Sequence, residues 1–555
     1  MGKMNRRRFL GYLGTGTAAL TAASTGLGSL TSSVEAATTA DHLFGHEKVK
    51  KTKKTVAFFK PIKHTSKDEL VLPKGFKYNV IAAYGDVINK QGDTFGFNND
   101  FTQFFPIDGS SKRGLLWINH EYSSELFVHG KKQADGKYSA KQIETMLYNM
   151  GGSIIEVYSK DGSWKMDTNS KYARRITGLT PFKLTGPASG MASTVQGTYR
   201  NCSGGKTLWN TVLSCEENFE YEVDDAYLIP EHYGWVIEVD PFDPTFAVRK
   251  HTALGRFNHE NTCMGLSKNG NVVIYMGDDK KDACIYKFIS KGTYNKSAGK
   301  GNSKLLEEGT LYAANMKTGV WVALTLTAVQ KALNEEKFKV PFGVNATKDE
   351  LLSIFKTQAD VMINAHFAAL ILGATPTDRP EDLEIHPVDN TIFIAHTNND
   401  VHGNIHGHIT RFFEKDGDLG ATQFDFEIFA AGGRQSGFSA PDNLTFDSNG
   451  NLWTVTDVST SSLNKGVHAF FGNNGMYVIP TSGPNIGEAF QFASAPVEAE
   501  LTGPCFTPDE RTLFLSIQHP GELTVDKSSP TSMWPHRKGD TIPRPAVVAI
   551  TGFEF

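Results

Sequence analysis

Residues 441–457 read PDNLTFDSNGNLWTVTD, and this stretch shows the unit from which the fold is expected to be built. A tetrad containing Asp442 opens one apolar run, a turn at 448–451 follows, and a second apolar run ends on Asp457. Asn-Gly between apolar runs is a strong hairpin signal, because these residues readily adopt positive φ. Since the two strands of a hairpin are antiparallel, the opening tetrad and the closing acid lie at the same edge.

The same unit occurs six times along the chain. The second strands end in clusters of metal-ligand type at 119–121, 215–218, 278–279, 396–400, 457 and 518–519. The first strands open on tetrads at 98–101, 186–189, 259–262, 380–383, 441–444 and 503–506. The last three units recur at about 60 residues, a period typical of repeat architectures.

A radial array of small antiparallel sheets brings such edges together at the mouth of one central channel. We therefore predict an all-β fold, a six-bladed β-propeller with helical insertions. The alternative is that these residues are ordinary turn and edge positions of a large all-β protein.

Composition excludes some classes of protein. Hydrophobic residues make up 39% of the chain and aromatic residues 11%, as in ordinary soluble domains. The net charge of −4 gives no basic footprint for nucleic acid. We predict no nucleic-acid partner, and we predict a monomer.

The N-terminus has the pattern of an export signal. A basic stretch, Arg6-Arg7-Arg8, is followed by Phe9 and Leu10, a weakly apolar segment and small residues near Ala36. This pattern is typical of twin-arginine signal peptides, and it predicts a periplasmic or extracellular protein with no membrane span after signal removal. The alternative is an N-terminal anchor or a disordered basic tail.

The predicted organisation has three parts. These are the signal peptide (1–36), a linker or N-terminal arm (37–55) and one propeller domain (56–555). Apolar residues at helical spacing predict helical insertions near 139–150 and 327–372.

The candidate ligands are mostly carboxylates, which favour hard cations such as calcium. The five cysteines have no regular spacing, and four of them (Cys202, Cys263, Cys284 and Cys505) are expected to be buried small hydrophobes. Cys215 differs because it stands at a strand end before Glu216. One thiolate among carboxylates suits ferric iron better than calcium, so a mixed site is predicted.

Arg379 lies two residues before Glu381, at the opening of the fourth unit. A guanidinium beside a cation cluster indicates an anionic ligand, and its planar fork matches phosphate oxygens. A salt bridge to Glu381 or Asp382 is the alternative.

The ordered motifs resemble the PhoX family of secreted alkaline phosphatases. The resemblance runs from the signal peptide to the last repeat. It rests on the motifs at 119–122, 214–218, 255–260, 277–279, 379–382 and 440–443.

The resemblance implies a propeller that hydrolyses small-molecule phosphomonoesters with an oxo-bridged pair of ferric ions and calcium ions at the channel mouth. It implies Cys215 as the thiolate ligand, and Arg379 as the phosphate contact. Catalytic roles are expected for Arg379, Cys215 and Glu121. The implied carboxylate ligands are Glu121, Glu216, Glu260 and Glu381. The repeat adds three further candidate ligands, Asp278, Asp442 and Asp457.

Such metals would neutralise the phosphoryl charge, orient the ester and supply an oxide or hydroxide nucleophile. Two other functions remain open at this point. One is a calcium-dependent lactonase or esterase on the same propeller, which needs no thiolate. The other is a non-catalytic propeller whose metals are structural.

Overall fold

Each predicted hairpin except the second forms the two inner strands of a small antiparallel sheet. The turn at 449–450, for example, joins strand Pro441–Phe446 to strand Leu452–Thr456. The computed structural model describes residues 58–221 and 225–554, so the predicted signal peptide and linker lie outside the described residues.

The strands group into six blades in chain order. Strand β1 is Lys77–Ala83. Blade 1 contains β2 (Asn99–Pro106), β3 (Arg113–His120), β4 (Gly151–Lys160), β5 (Ser163–Met166) and β6 (Arg174–Ile176). Blade 2 contains β7 (Pro181–Thr185), β8 (Val195–Gln196), β9 (Asn201–Lys206), β10 (Val212–Glu216), β11 (Val236–Val239) and β12 (Arg249–His251).

Blade 3 contains β13 (Cys263–Leu266), β14 (Asn271–Gly277), β16 (Ile285–Thr293), β17 (Gly309–Asn315) and β18 (Val320–Ala323). Strands β15 (Lys281–Ala283) and β19 (Thr377–Asp378) form a separate pair. Blade 4 contains β20 (Pro380–Ile385), β21 (Ile392–His396), β22 (His408–Glu414) and β23 (Phe424–Ala431). Blade 5 contains β24 (Pro441–Phe446), β25 (Leu452–Thr456), β26 (Gly475–Ile479) and β27 (Phe490–Ser494). Blade 6 contains β28 (Glu500–Phe506), β29 (Thr512–Gln518) and β30 (Ala546–Thr551).

The innermost strands of the blades close into a ring. Strands β2, β9, β13, β20, β24 and β28 each contact the next in this order, and β28 contacts β2. The circle is also closed within blade 6, because β1 pairs with β30 and so ties the beginning of the described chain to its end. The predicted six-bladed β-propeller is therefore confirmed.

Apolar clusters fill the interfaces between neighbouring blades. Leu213 and Val236 of blade 2 pack with Ile274 of blade 3, for example, and Trp453 of blade 5 packs with Leu515 of blade 6. Similar clusters lie at the other four interfaces. Because the blades present alternating side chains to their two neighbours, the polar groups at the strand ends are left for the channel.

The predicted helical insertions are present. The first is α1 (Ala140–Asn149), and Ser139 and Gln142 form a capping box at its start. The second contains α2 (Leu326–Asn334), α3 (Lys348–Ile354), α4 (Gln358–Ile363) and α5 (Ala365–Ile371), which pack on the interface of blades 2 and 3. No helix in the described part of the chain is long and apolar enough to cross a membrane.

One predicted repeat position is wrong. The tetrad at 186–189 follows β7, an outer strand, whereas the innermost strand of blade 2 is β9 and begins at Asn201. Blade 2 places two extra strands before its inner hairpin, and the local sequence pattern does not reveal that insertion.

Candidate metal centre

Every innermost strand carries one extra residue at its mouth end. In blade 1, Asn99 pairs with His120 but Thr102 pairs with Ile118, so two residues stand opposite one. The same one-residue shift occurs in blades 2, 4, 5 and 6. In blade 3 it lies between the His259–Asp278 bridge and the Cys263–Tyr275 pair. Such β-bulges redirect side chains and are common beside active sites.

The first residue of each bulge forms the lower tier of the candidate site. In chain order these residues are Asp100, Cys202, Glu260, Glu381, Asp442 and Gly503. Five of the six can bind a metal ion, and all five lie on neighbouring innermost strands or directly before one.

The upper tier comes from the second strand of each blade. In that strand, one residue pairs with the innermost strand just before the bulge, and the residue that follows it belongs to the upper tier. In blades 1 to 5 these residues are Glu121, Glu217, Asp279, Thr397 and Asp457. Four are carboxylates, whereas the hydroxyl of Thr397 donates to the carbonyl of Pro441 at 2.8 Å.

Blade 6 breaks the pattern. Its bulge position is Gly503, with φ 54°, and the equivalent upper position is the buried Ile517. Strands β28 and β29 continue towards the mouth until Glu500 pairs with Gln518. Burial and then the nearby Glu500 raise the pKa of Asp442, so Glu500 joins the carboxylate cluster from this blade.

In the described part of the chain, three sets of residues could each hold a metal ion. Within each set, the ligand atoms lie within 4.8 Å of one another. The sets are Asp100, Glu121 and Cys202; Cys202, Glu217 and Glu260; and Glu260, Asp279 and Glu381. Because Cys202 and Glu260 each belong to two sets, the three candidate positions adjoin. The arrangement fits a polynuclear metal centre better than separate single-ion sites.

The electrostatics of the cluster also fit bound cations. Burial, and then a neighbouring carboxylate, raises the pKa of Asp100, Glu217, Glu260 and Glu381. Burial raises the pKa of Glu121 to about 7. Among the described residues, Oδ1 of Asp100 and Oε2 of Glu260 are buried without a hydrogen-bond partner. Buried carboxyl groups of this kind are protonated unless a counter-charge or a metal ion is present.

Arg379 is held at the mouth by three carboxylates. Its Nε and Nη2 donate to Asp279 at 2.8 and 2.7 Å, and it also reaches Glu381 at 2.7 Å and Asp457 at 3.3 Å. The predicted alternative, an ion pair to Glu381, is thus present. Its partly exposed guanidinium still faces the same group of acids, as expected of a residue at the mouth.

The thiol in the cluster is that of Cys202, whereas Cys215, which was predicted as the thiolate ligand, lies outside the cluster. Sγ of Cys202 lies 3.6 Å from Oδ2 of Asp100. Cys215 is fully buried in the apolar interface with blade 3, together with Leu213. Alternate residues of a strand face opposite sides, so Cys215 shares the side of Leu213 and faces blade 3.

Glu216 also lies outside the cluster, contrary to the prediction. Its carboxylate accepts hydrogen bonds from Nζ of Lys250 at 2.6 Å and from the backbone N–H groups of Gly234 and Trp235, each at 3.0 Å. These bonds satisfy both oxygens, so Glu216 braces blade 2. Its neighbour Glu217 is the residue that faces the cluster.

Asp278, also predicted as a ligand, likewise lies one residue away from the cluster position. Its carboxylate accepts from the backbone N–H of Asn258 at 3.2 Å and contacts Nδ1 of His366 at 3.0 Å. Asp279 takes the cluster position instead. The other predicted residues, Glu121, Glu260, Glu381, Asp442, Asp457 and Arg379, are brought together at the mouth.

Five residues of the cluster were not among the predicted ligands, namely Asp100, Cys202, Glu217, Asp279 and Glu500. Asp100, Glu217 and Asp279 do lie within the strand-end motifs at 98–101, 215–218 and 278–279. A signal for two of them was available, because Asn201-Cys202 aligns with Asn99-Asp100 at the start of an innermost strand. Nothing in the sequence indicated that blade 6 would contribute Glu500, which lies three residues before the bulge residue Gly503.

Comparison with known proteins adds a family. The sequence profile described as alkaline phosphatase PhoX matches residues 57–521. The solved structure of Pseudomonas fluorescens PhoX in complex with vanadate, a transition state analogue, is 32% identical, with a TM-score of 0.77. That match covers 89% of this chain and 98% of the other.

Two further solved structures are more distant. A putative gluconolactonase is 10% identical, with a TM-score of 0.33 and coverage of 88% of this chain and 97% of the other. A gluconolactonase from Xanthomonas campestris is 9% identical, with a TM-score of 0.32 and coverage of 82% and 96%. The curated proteins compared contain no match.

Proposed function

Since this chain belongs to the PhoX family of alkaline phosphatases, and is a metal-dependent phosphomonoesterase, we propose that its reaction takes place at the two-tier carboxylate cluster, loaded with iron and calcium. The single observation that carries the proposal is the sharing of Cys202 and Glu260 among three adjoining ligand sets. One shared thiolate and one shared carboxylate are what a compact group of several cations would need.

The donor atoms favour different metals at different positions. Thiolate with carboxylates suits iron, so the two sets that contain Cys202 would hold the iron pair. The set of Glu260, Asp279 and Glu381 offers oxygen alone and would hold calcium, with Asp442, Asp457 and Glu500 beside it. When bound, these cations supply the positive charge and Lewis acidity that phosphoryl transfer requires.

The protein's own contribution includes Arg379. Its guanidinium has five donors in a planar fork, and three carboxylates hold it in place at the mouth. A phosphoryl group above the cluster would accept a hydrogen bond from the remaining donor, on Nη1. Arg379 would thereby orient the ester and spread the charge that develops on the phosphoryl oxygens.

The thiolate in this cluster separates the proposal from a calcium-only lactonase. Burial and the nearby Asp100 raise the pKa of the Cys202 thiol. Without a cation that binds thiolate, such as iron, a thiol in these surroundings would stay protonated and contribute little. A site for calcium alone has no use for it.

The test is elemental analysis of the purified folded protein, together with hydrolysis of p-nitrophenyl phosphate before and after chelation. We expect iron and calcium in the protein and a loss of activity with chelator. The Glu260→Gln variant should lose both metals and activity, whereas the surface variant Glu336→Gln should match the unmodified protein. Calcium without iron, or full activity in Glu260→Gln, would contradict the proposal.

We also propose that the protein is exported by the twin-arginine route and acts as a monomer. The support for export is the sequence at Arg6-Arg7-Arg8, which lies outside the described residues. Replacing the three arginines by lysine should leave the protein in the cytoplasm, as cell fractionation would show. Light scattering of the purified protein tests the monomer.

A further inference from the structure

One side of the channel mouth carries an aromatic surface that the metal centre does not use. Tyr122 directly follows the upper-tier residue Glu121, and Arg200 stands two residues before the lower-tier Cys202. Together with Tyr221, these side chains form what we call the aromatic wall. Two of its three members are therefore tied by the backbone to candidate metal ligands.

The wall is built around the Arg200 guanidinium. Its Cζ lies 5.9 Å from the ring centroid of Tyr122 and 5.6 Å from that of Tyr221. The backbone carbonyl of Arg200 accepts a hydrogen bond from the N–H of Glu217 at 2.9 Å. This bond fixes the backbone of Arg200 to blade 2. The hydroxyl of Tyr199 donates to the carbonyl of Tyr221 at 3.2 Å and holds that loop in place.

Tyr221 presents most of its surface to solvent. Its relative exposure is 59%, although its backbone carbonyl is hydrogen-bonded and its ring lies near a guanidinium. A large aromatic ring at the rim of a catalytic mouth is available to an incoming molecule. Its neighbour across the guanidinium, Tyr122, is only partly buried.

Arg200 and Arg379 occupy equivalent places in the repeat. Each stands two residues before the first residue of its bulge, and their φ values are 53° and 52°, both left-handed. Arg379 forms ion pairs with three carboxylates, and Arg200 combines neighbouring tyrosine rings with a charge interaction with Glu121. The tyrosine rings around Arg200 therefore distinguish the blade 2 part of the mouth from the blade 4 part, where Arg379 lies.

We infer that the aromatic wall is the leaving-group subsite and that it favours phosphomonoesters with a planar aromatic group, such as nucleoside monophosphates. The inference rests on the proposed placement of the phosphoryl group at the cluster. With that group beside Arg379, the organic part of the ester must extend outward from the channel. Tyrosine and guanidinium faces stack on aromatic bases without requiring a particular hydrogen-bond pattern.

The experiment compares two substrates that differ only in the base. Adenosine 5′-monophosphate and ribose 5-phosphate release the same kind of primary alkoxide, so the intrinsic reactivity of the ester is matched. In Tyr221→Ala, kcat/KM for the nucleotide should fall about fivefold, the effect of losing one exposed stacking contact. For ribose 5-phosphate it should stay within about twofold of the unmodified enzyme.

Two further variants serve as controls. Tyr221→Phe keeps the ring and should keep the preference for the nucleotide. Tyr227→Ala removes a tyrosine that is 66% exposed and lies outside the wall, so it should alter neither substrate. Equal losses for both substrates in Tyr221→Ala, or no loss for either, would overturn the inference.

Failure of this inference is distinguishable from failure of the proposed site. If Glu260→Gln still hydrolysed both substrates, the placement of the reaction at the cluster would be wrong. If Glu260→Gln lost both while Tyr221→Ala kept the unmodified preference, only the role of the aromatic wall would be rejected.

Discussion

Sγ of Cys202 lies 3.6 Å from Oδ2 of Asp100, so the thiol of blade 2 meets a carboxylate of blade 1 at the channel mouth. The two residues occupy the same position in consecutive bulges. The first residue of the bulge is therefore an acid in blade 1 and a cysteine in blade 2. Under the proposed function, this thiol is the donor that suits iron better than calcium.

The pair of cysteines Cys202 and Cys215 provides the first prediction. Cys202→Ala should lose iron and phosphatase activity, because it removes a ligand shared by two of the three sets. Cys215→Ala should keep both, since that thiol lies in the apolar interface between blades. Metal analysis and a visible absorption band from thiolate-to-iron charge transfer give the readout. The reverse result, with Cys215→Ala free of iron, would restore the assignment made from sequence.

Glu216 and Glu217 should separate stability from metal binding. Glu216→Gln leaves the ammonium of Lys250 buried without its counter-charge, which should cost about 3–5 kcal/mol of stability. Glu217→Gln removes one acid from a crowded cluster, so it should lower metal content without destabilising the metal-free protein. Urea unfolding of chelated samples and elemental analysis would measure the two effects. A fall in metal content for Glu216→Gln at unchanged stability would contradict this division.

These neighbouring pairs show how far the sequence could predict the site. The turns and apolar runs were enough to predict the propeller, because the residues that form a hairpin turn are neighbours in the sequence. The strand-end acids were enough to locate the mouth, since the ends of paired strands meet at one edge. Which of two adjacent residues faces the channel depends on the register, and a bulge shifts that register by one.

The remaining errors have a different cause. The tetrad at 186–189 was misplaced because two outer strands precede the inner hairpin of blade 2, and their arrangement depends on contacts distant in sequence. The pairing of β1 with β30, which no local sequence pattern indicates, also joins segments at opposite ends of the described chain. Cys202 lacked the neighbouring acids that made Cys215 conspicuous, although only the former faces the cluster.

Arg379 should not be replaceable by lysine. Its Nε and Nη2 both donate to Asp279, and a single ammonium cannot reproduce that fork. A lysine would be held less firmly and would lose the charge-assisted hydrogen bond to the phosphoryl group. Such a bond is worth about 1.5–3 kcal/mol, so Arg379→Lys should lower kcat/KM by roughly 10- to 100-fold. Steady-state kinetics with p-nitrophenyl phosphate test this, and the metal content should stay unchanged. Near-normal kcat/KM in Arg379→Lys would mean that charge alone suffices there.

Gly503 should tolerate no side chain. A Cβ added at this bulge position would lie 2.4 Å from the backbone nitrogen of Thr102, and φ is 54°. The matched control is Gly417, which has a φ of 64° and open space within 4 Å of an added Cβ. Gly417→Ala should cost roughly 1–2 kcal/mol through its left-handed backbone alone. Gly503→Ala should cost clearly more in chemical unfolding, and equal costs would show that blade 6 can move away from blade 1.

Metal removal should make stability depend on pH with a predictable sign. In the metal-free protein, burial raises the pKa of Glu121 from 4.5 to about 7, and the pKa values of Glu260 and Glu381 are raised as well. The folded state then holds protons that the unfolded state releases above about pH 4.5, so the free energy of unfolding falls as pH rises from there towards 7 and beyond.

Bound cations would remove this penalty, because they stabilise the ionised carboxylates. Thermal unfolding of chelated and metal-loaded protein at pH 5 and pH 8 should therefore show a larger difference at the higher pH. Glu260→Gln should reduce the pH dependence of the chelated protein, since it removes one of the titrating groups. A chelated protein that is as stable at pH 8 as at pH 5 would show that the carboxylates of the cluster relax apart when the metals leave.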